Sequence, residues 1–134
     1  PIITEFVADN DDSLTDGNGA NPDWIEIFNP GAESLNLSGW HLTDDPSNLR
    51  LWTFPSVDLA AGAYLVVFAS GDDGTDLAGN LHTNFRINAN GDFLGLVQPD
   101  ATTIVSQWPA DGEEFPKQFE DLSYGFTAHH RMLL

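Results

Sequence analysis

The residues best suited to chemistry are the oxygen-bearing side chains crowded into residues 9–23. Calcium binds about six to eight such oxygens, and a loop can supply them. The composition therefore predicts calcium as a cofactor. A register starting at the first aspartate lacks the glycine and the terminal glutamate of an EF-hand, so a solvated, turn-rich loop remains the open alternative. The candidate ligands are Asp9, Asn10, Asp11, Asp12, Asp16 and Asp23.

Two further acidic groups repeat this pattern more weakly. Asp44 and Asp45 form one group, and Asp72, Asp73 and Asp76 form the other within the acidic stretch 71–79. For both groups, solvated surface turns are the stronger interpretation.

A pair of glutamates raises the question of acid–base catalysis. Glu5 and Glu26 stand centrally in two neighbouring strand patterns, where facing carboxylates could serve as the acid and base of a glycosidase. The alternation of residues 2–8 instead places Glu5 on one face with Ile3 and Val7, as expected of a partly buried, hydrogen-bonded carboxylate. We therefore predict a structural role for both glutamates.

Histidine and serine patterns add no support for catalysis. His82 stands alone, and His129 and His130 fall in the C-terminal tail, so no spacing typical of a zinc site occurs. Ser123 lacks the glycine-flanked turn of an activated nucleophile. We therefore predict no catalytic residues and no enzymatic activity.

The four tryptophans suggest a carbohydrate-binding surface as a further possibility, because sugar rings stack on exposed indoles. Trp24 and Trp40 fall inside the two motifs at residues 23–31 and 37–44 that carry the family resemblance given below, which implies that they lie in or near the core. Trp52 and Trp108 are expected to be partly exposed, and they are the candidate binding residues. Core packing is the alternative interpretation of all four.

Short strand patterns separated by turn residues must position these side chains. No window shows sustained helical spacing of apolar residues, so we predict an all-β chain. Residues 64–69 are a continuous apolar run and should form a central strand. Asn90 with Gly91 predicts a hairpin between residues 84–89 and 93–97. The other predicted strands are residues 2–8, 24–28, 35–43, 49–54, 102–108 and 123–126.

Eight or nine short strands with long polar connections favour a two-sheet β-sandwich, with an open barrel as the structural alternative. The connection at residues 9–23 is a long acidic loop. Its Gly17 and Gly19 are expected at turn positions that tolerate positive φ.

Length and charge limit the functions open to the chain. Its 134 residues suit one domain, residues 1–134, with a tail at residues 127–134. The formal net charge of −17 makes nucleic acid and anionic membranes poor partners, and no apolar run is long enough for membrane insertion. The absence of cysteine excludes a disulfide framework and thiolate metal sites. The first residue, Pro1, and the apolar end suggest a piece cut from a larger protein.

Several motifs together resemble one known family. The runs DWIEIFNPG at residues 23–31 and LSGWHLTD at residues 37–44 are the most specific. ITEF, WTFP, HTNF and DLSYG, which begin at residues 3, 52, 82 and 121, agree with the same pattern. The chain thereby resembles the lamin tail domain, and the resemblance is closer to the prokaryotic branch of that family. It implies an immunoglobulin-like sandwich that serves as a module of an extracellular protein.

The resulting expectation is a non-catalytic structural, adhesive or binding module of a larger secreted or cell-surface protein. Its loops, not its strands, would carry specificity. The expected partners are other domains of the same polypeptide and a protein or glycan at the cell surface. The alternative is an accessory domain, binding substrate or carbohydrate, that holds a secreted hydrolase to its substrate, with calcium dependence in either case.

Overall fold

The computed structural model describes residues 1–7, 14–87, 93–108 and 124–125. These ranges contain twelve β-strands and no helix. No helix long and apolar enough to cross a membrane occurs in them. In chain order the strands are β1 (Ile2–Val7), β2 (Asp23–Phe28), β3 (Leu35–Asn36), β4 (His41–Thr43), β5 (Trp52–Thr53), β6 (Asp58–Leu59), β7 (Tyr64–Ala69), β8 (Gly74–Thr75), β9 (Leu81–His82), β10 (Leu94–Val97), β11 (Ile104–Trp108) and β12 (Tyr124–Gly125).

The strands form two main sheets and a small ribbon. The six-stranded sheet has the order β12-β1-β2-β7-β9-β8, and the four-stranded sheet has the order β11-β10-β4-β5. The ribbon pairs β3 with β6. The predicted all-β sandwich is confirmed, and so is the central strand, because β7 lies between β2 and a parallel partner, β9.

The hydrophobic core lies where the two main sheets face each other. Alternating apolar residues on each strand point inward, as the two-residue period of a β-strand requires. The six-stranded sheet contributes Ile3, Phe6, Ile25, Ile27 and Val67, and the four-stranded sheet contributes Leu42, Trp52, Leu94 and Leu96. Val7, Trp24 and Phe68 form a separate buried cluster, which the alternation places on the outer face of the six-stranded sheet.

A β-bulge at Thr4 changes which residues of β1 share a face. Ile3 pairs with Ile27 and Glu5 pairs with Glu26, so Thr4 is the extra residue. Beyond the bulge the alternation is reversed. Ile3 and Phe6 therefore both reach the main core, and the prediction that Ile3, Glu5 and Val7 share one face is wrong.

The bulged part of β1 also links the two sheets. The Ile3 N–H donates a hydrogen bond to Ser106 Oγ at 2.9 Å. The Trp108 indole N–H donates to the Ile3 carbonyl oxygen at 3.0 Å. Each of these bonds joins β1 of the six-stranded sheet to β11 of the four-stranded sheet. The two bonds therefore fix the edge at which β1 approaches β11.

Two of the strand predictions that differ from the structure have identifiable causes, one local and one tertiary. Predicted strand 35–43 is broken into β3 and β4 because Gly39 adopts a φ of +83°, outside the extended region. The predicted hairpin is wrong in its described part, since residues 84–87 are not a strand and β10 pairs with β4 and β11 instead. Asn90 and Gly91 themselves lie outside the described residues.

A tight turn joins β10 to β11 and depends on Asp100. Its Oδ1 accepts the N–H groups of Thr102 and Thr103 at 2.9 Å, and its Oδ2 accepts the Thr103 hydroxyl at 2.6 Å. These hydrogen bonds lower the pKa of Asp100 to about 2, and the Thr103 hydroxyl makes the largest contribution, ahead of the two N–H groups. The ionised carboxylate is therefore favoured in the folded state.

Asp100→Asn should destabilise the domain at pH 7 and progressively less in acid. A depressed pKa in the folded state means that the carboxylate contributes stability above its unfolded pKa of about 3.9, and loses it as pH falls toward 2. Thermal unfolding of both proteins between pH 7 and pH 2 should show the two transition temperatures converging. An NMR titration midpoint for Asp100 near the ordinary value of about 3.9 would contradict this account. Thr103→Val should move the midpoint upward.

Candidate functional site

Residues 14–22 form a compact turn around the carboxylate of Asp16. Asp16 Oδ1 accepts the N–H groups of Asn18 and Ala20, each at 2.9 Å. The Asp16 N–H donates to the Ala20 carbonyl, and the Gly19 N–H donates to the Asp16 carbonyl. Gly19 has a φ of +84°, so the positive φ predicted for it is confirmed. The turn uses only one of the two Asp16 carboxylate oxygens.

The hairpin between β8 and β9 repeats this turn around Asp76. Asp76 Oδ1 accepts the N–H groups of Ala78 at 2.9 Å and Asn80 at 3.1 Å. The Asp76 N–H donates to the Asn80 carbonyl, and Gly79, with a φ of +85°, donates its N–H to the Asp76 carbonyl. The two turns therefore share one hydrogen-bond pattern, in which an aspartate precedes a positive-φ glycine by three positions.

Asp76 Oδ2 joins the two turns to each other and to β9. It accepts the Gly17 N–H at 2.8 Å, the Asn80 side-chain amide at 3.2 Å and the His82 ring nitrogen Nε2 at 2.9 Å. A Cβ atom on Gly17 would lie 2.3 Å from Asp76 Oδ1 and 2.6 Å from the Ala78 backbone nitrogen. Gly17 is thus required for this close approach rather than for a positive φ, which it does not adopt.

The imidazole of His82 is held on several sides. Its Nδ1 lies 2.8 Å from Ser70 Oγ, and its Nε2 lies 2.9 Å from Asp76 Oδ2 and 3.8 Å from Asp16 Oδ2. The Phe68 ring stacks on it with a centroid separation of 5.4 Å. We call Asp16, Asp76, His82 and Ser70 the His82 cluster. The ligand atoms of Asp16, Asp76 and His82 lie within 4.8 Å of one another and could hold a metal ion.

The carboxylates of the His82 cluster are enclosed by protein. The side-chain exposure is 2% for Asp16, 0% for Asp76 and 3% for His82. Desolvation by itself would raise the pKa of Asp76. Hydrogen bonds from His82, Gly17 and Asn80 outweigh desolvation and hold this pKa well below its usual range. Asp76 is therefore an anion in the folded domain.

A cleft of about 340 Å³ opens beside the cluster at the loop end of the sandwich. Arg86 anchors one wall, because its Nε donates to the Ser70 carbonyl oxygen at 3.0 Å. Its exposed guanidinium makes no other hydrogen bond and no ion pair in the structure. The cleft is lined by Asp16, Ala20, Asn21, Pro22, Asp23, Ala69, Ser70, Asp72 and Arg86.

Comparison with known families agrees with this architecture. The family described as Lamin Tail Domain matches residues 1–110. The chain belongs to the lamin tail domain family. No curated protein and no solved structure matches it. The resemblance to the family and the immunoglobulin-like fold are thereby confirmed, and the family is one of generally non-catalytic immunoglobulin-like modules. The placement in the prokaryotic, extracellular branch stays a prediction.

The predicted calcium ligands of this lamin tail domain are only partly described. Asp9, Asn10, Asp11 and Asp12 lie outside the described residues. Asp16 and Asp23 both line the cleft. Asp16 uses Oδ1 for its own turn, and its Oδ2 lies 3.8 Å from His82 Nε2. Calcium binding by this set stays a prediction.

His82 is not isolated, contrary to the sequence interpretation. The parallel pairing of β9 with β7 places it beside Ser70, and the two aspartate turns bring Asp16 and Asp76 to its ring. Asp76 was assigned to a solvated turn, which is also wrong. A usable signal existed in the repeated pattern of aspartate followed three residues later by glycine, at residues 16–19 and 76–79. His129 and His130 lie outside the described residues.

Of the two candidate binding tryptophans, Trp108 is partly exposed as predicted and Trp52 is not. Trp52 is 4% exposed, and its indole N–H donates to Asp73 Oδ1 at 3.0 Å, so the exposure predicted for it is wrong. Its alternation on β5 turns the ring into the core. Trp108 is half-buried, with its indole N–H on the Ile3 carbonyl. Neither tryptophan lines the cleft.

The glutamates occupy structural positions in the sheet. Glu5 is 4% exposed and lies opposite Glu26 across the β1–β2 pair. Glu26 Oε1 accepts the Thr4 hydroxyl at 2.8 Å, so the bulge residue itself provides a donor for this carboxylate.

Ser70, His82 and Asp76 are connected in the order found in serine hydrolases, but their surroundings oppose that chemistry. The Ser70 hydroxyl oxygen already accepts the Asp72 N–H at 3.0 Å. Three aspartates line the adjoining cleft, where an oxyanion would have to develop. Negative charge in the cleft would raise the barrier to acyl transfer. The hydrogen bonds that join Ser70, His82 and Asp76 are therefore better suited to orienting the His82 ring.

Gly17→Ala should destabilise the domain more than Gly19→Ala. The added methyl at residue 17 meets backbone and a buried carboxylate, and such overpacking costs about 2–3 kcal/mol. At residue 19 the space is open, and only the positive φ is unfavourable, by about 1 kcal/mol. Urea unfolding of both variants gives the comparison. Equal losses in the two variants would contradict the close packing of the two turns.

Proposed function

We propose that the domain is a non-catalytic binding module of a larger secreted or cell-surface protein, and that it holds a glycan at the cleft. The observation that supports this proposal is the combination of a concave site with convergent hydrogen-bonding groups. A cleft of about 340 Å³ falls within the size range of small-ligand sites. It lies among loops at one end of a rigid sandwich, where recognition residues are most often found.

The chemistry of the cleft suits a polyhydroxylated ligand. Asp72 has a carboxylate that makes no hydrogen bond in the structure, so it can accept hydroxyl donors. Arg86 presents guanidinium N–H groups that can donate to hydroxyl or carboxylate oxygens. Asn21 and Ser70 add smaller polar groups to the same wall. Acceptors and donors in one cleft match the mixed donor and acceptor character of a sugar ring.

Calcium enters this proposal as a bridging ion. Asp23 and Asp72 line one cleft, and a divalent cation could bind both their oxygens and the hydroxyls of a sugar. The high negative charge of the chain favours such an ion electrostatically. An acidic glycan would bind through calcium, because the ion would link the carboxylates of the glycan to those of the cleft. A neutral glycan would depend less on calcium.

Arg86→Ala should weaken glycan binding by at least about tenfold, since loss of charged hydrogen bonds costs about 1.5–3 kcal/mol. Isothermal titration of the whole domain with uronic-acid and neutral oligosaccharides, in calcium and in EGTA, measures this effect. Asp72→Asn should weaken binding in the same direction. Arg50→Ala is the matched control, because Arg50 is exposed and does not line the cleft.

The titrations also separate the alternatives. Equal loss in Arg50→Ala and Arg86→Ala would show that net charge, not the cleft, is responsible. Binding that survives both Arg86→Ala and Asp72→Asn would show that the ligand does not occupy the cleft. Absence of binding to either oligosaccharide class would overturn the glycan proposal.

A further inference from the structure

We propose that Asp16 Oδ2, Asp76 Oδ2 and His82 Nε2 form a binding site for a divalent transition metal of the zinc type. The site lies behind the cleft and does not depend on the proposed glycan function. The acidic composition does not carry this inference, because exposed aspartates such as Asp58, Asp72 and Asp100 contribute to it as much as buried ones do. It rests on one buried carboxylate oxygen and on the orientation of one imidazole.

Asp16 Oδ2 is the observation that most requires a ligand. Both hydrogen bonds to the Asp16 carboxylate go to Oδ1. Oδ2 accepts no hydrogen bond in the structure, although the side chain is only 2% exposed. It points into the His82 cluster, 3.8 Å from Nε2. A buried carboxylate oxygen without a donor is unfavourable, and a cation at this position removes that cost.

The charge balance of the cluster favours the same ion. Two carboxylates face a single imidazole, and all three side chains are at most 3% exposed. One divalent cation neutralises both carboxylates and leaves the imidazole neutral, which is the form that binds metal.

His82 is oriented as a metal ligand would be. With a metal ion bound, the neutral imidazole would carry its proton on Nδ1 and donate it to Ser70 Oγ, and Nε2 would bind the ion in place of its hydrogen bond to Asp76 Oδ2. Metal-bound histidines commonly donate their other ring N–H to an oxygen in this way. Phe68 fixes the ring plane by stacking. The Gly17 N–H and the Asn80 amide bond to Asp76 Oδ2 and orient this carboxylate in turn.

The distances and the ligand types select the metal. The Nε2–oxygen separations are 2.9 and 3.8 Å. Two ligand atoms that each lie about 2.1 Å from a zinc ion are roughly 3–4 Å apart, so small side-chain shifts suffice. An imidazole nitrogen with carboxylates suits zinc and related ions, whereas calcium prefers oxygen ligands alone. Solvent has access through a second, smaller cleft lined in part by Asp76 and His82.

The bound ion would fasten the turn at residues 14–22 to the β8–β9 hairpin. The protein should therefore bind one Zn²⁺ and unfold at a higher temperature when zinc is present. At a free zinc concentration of about 100 times Kd, the rise should be roughly 8 °C. Titration calorimetry of the EDTA-treated domain gives stoichiometry and Kd, and Co²⁺ absorption in the visible range reports the coordination geometry.

Asp16→Asn is the decisive variant. Its Oδ1 can still accept the two N–H groups of the turn, so the domain should fold and be about as stable as the original protein in EDTA. Its affinity for zinc should fall at least about 100-fold, and the zinc-dependent rise should vanish. His82→Gln should show the same loss of zinc affinity. A purely structural Asp16 would instead lower stability in EDTA and leave the zinc response unchanged.

Three controls separate this site from other zinc ligands. Asp72→Asn, in the cleft but outside the cluster, should keep zinc affinity, and so should the double variant His129→Gln with His130→Gln. Calcium should produce a much smaller shift than zinc. The proposal is overturned if zinc causes no shift, if the shift persists in Asp16→Asn, if only the tail variant abolishes it, or if calcium matches zinc. Loss of zinc binding with glycan binding intact, or the reverse, keeps the two proposals separable.

Discussion

The carboxylate of Asp76 is the anion around which the loop end of the sandwich is built. It accepts N–H groups from Gly17, Ala78 and Asn80, together with the Asn80 amide and the His82 ring. These donors come from two chain segments about sixty residues apart. A buried carboxylate is tolerated only when its oxygens are satisfied, so both segments must be in place together. The hydrogen bonds to the buried Asp76 carboxylate therefore fix the shape of the cleft beside it.

The bulge in β1 is the corresponding constraint on the sheets. In a regular strand, residues on the same face are two or four positions apart, whereas Ile3 and Phe6 are three apart. The bulge lets both side chains enter one core. It also leaves the Ile3 backbone to bond with Ser106 and Trp108 across the sandwich. The half-buried Trp108 thus acts as a tie between the sheets. The outer face keeps Glu5 beside Glu26, with Thr4 supplying a donor.

The features that could be predicted from sequence were those fixed by local composition. The apolar run Tyr64–Ala69 predicted its strand to the residue, because valine and phenylalanine in succession suit a strand with two neighbours. The face of Glu5 could not be predicted, since a bulge leaves the local pattern unchanged and reverses the alternation after it. The hairpin expected before Leu94 failed because tertiary pairing with β4 outcompetes a local turn signal. The His82 cluster could not be predicted, because Asp16, Asp76 and His82 meet only through the parallel β7–β9 register and the two turns.

The acidity of the chain has more than one physical origin, and this bears on any argument about ligands. Many aspartates in the short loops accept backbone N–H groups and replace the hydrogen bonds that regular structure would supply. Asp45 and Asp100 do so in exposed turns, where hydroxyl and N–H donors lower the pKa of each. A count of acidic residues therefore overstates the oxygens available to a ligand. The carboxylate oxygens that accept no hydrogen bond from a turn are more informative about ligands. Asp16 Oδ2, buried against His82, and the Asp72 carboxylate, open to the cleft, are the clearest examples.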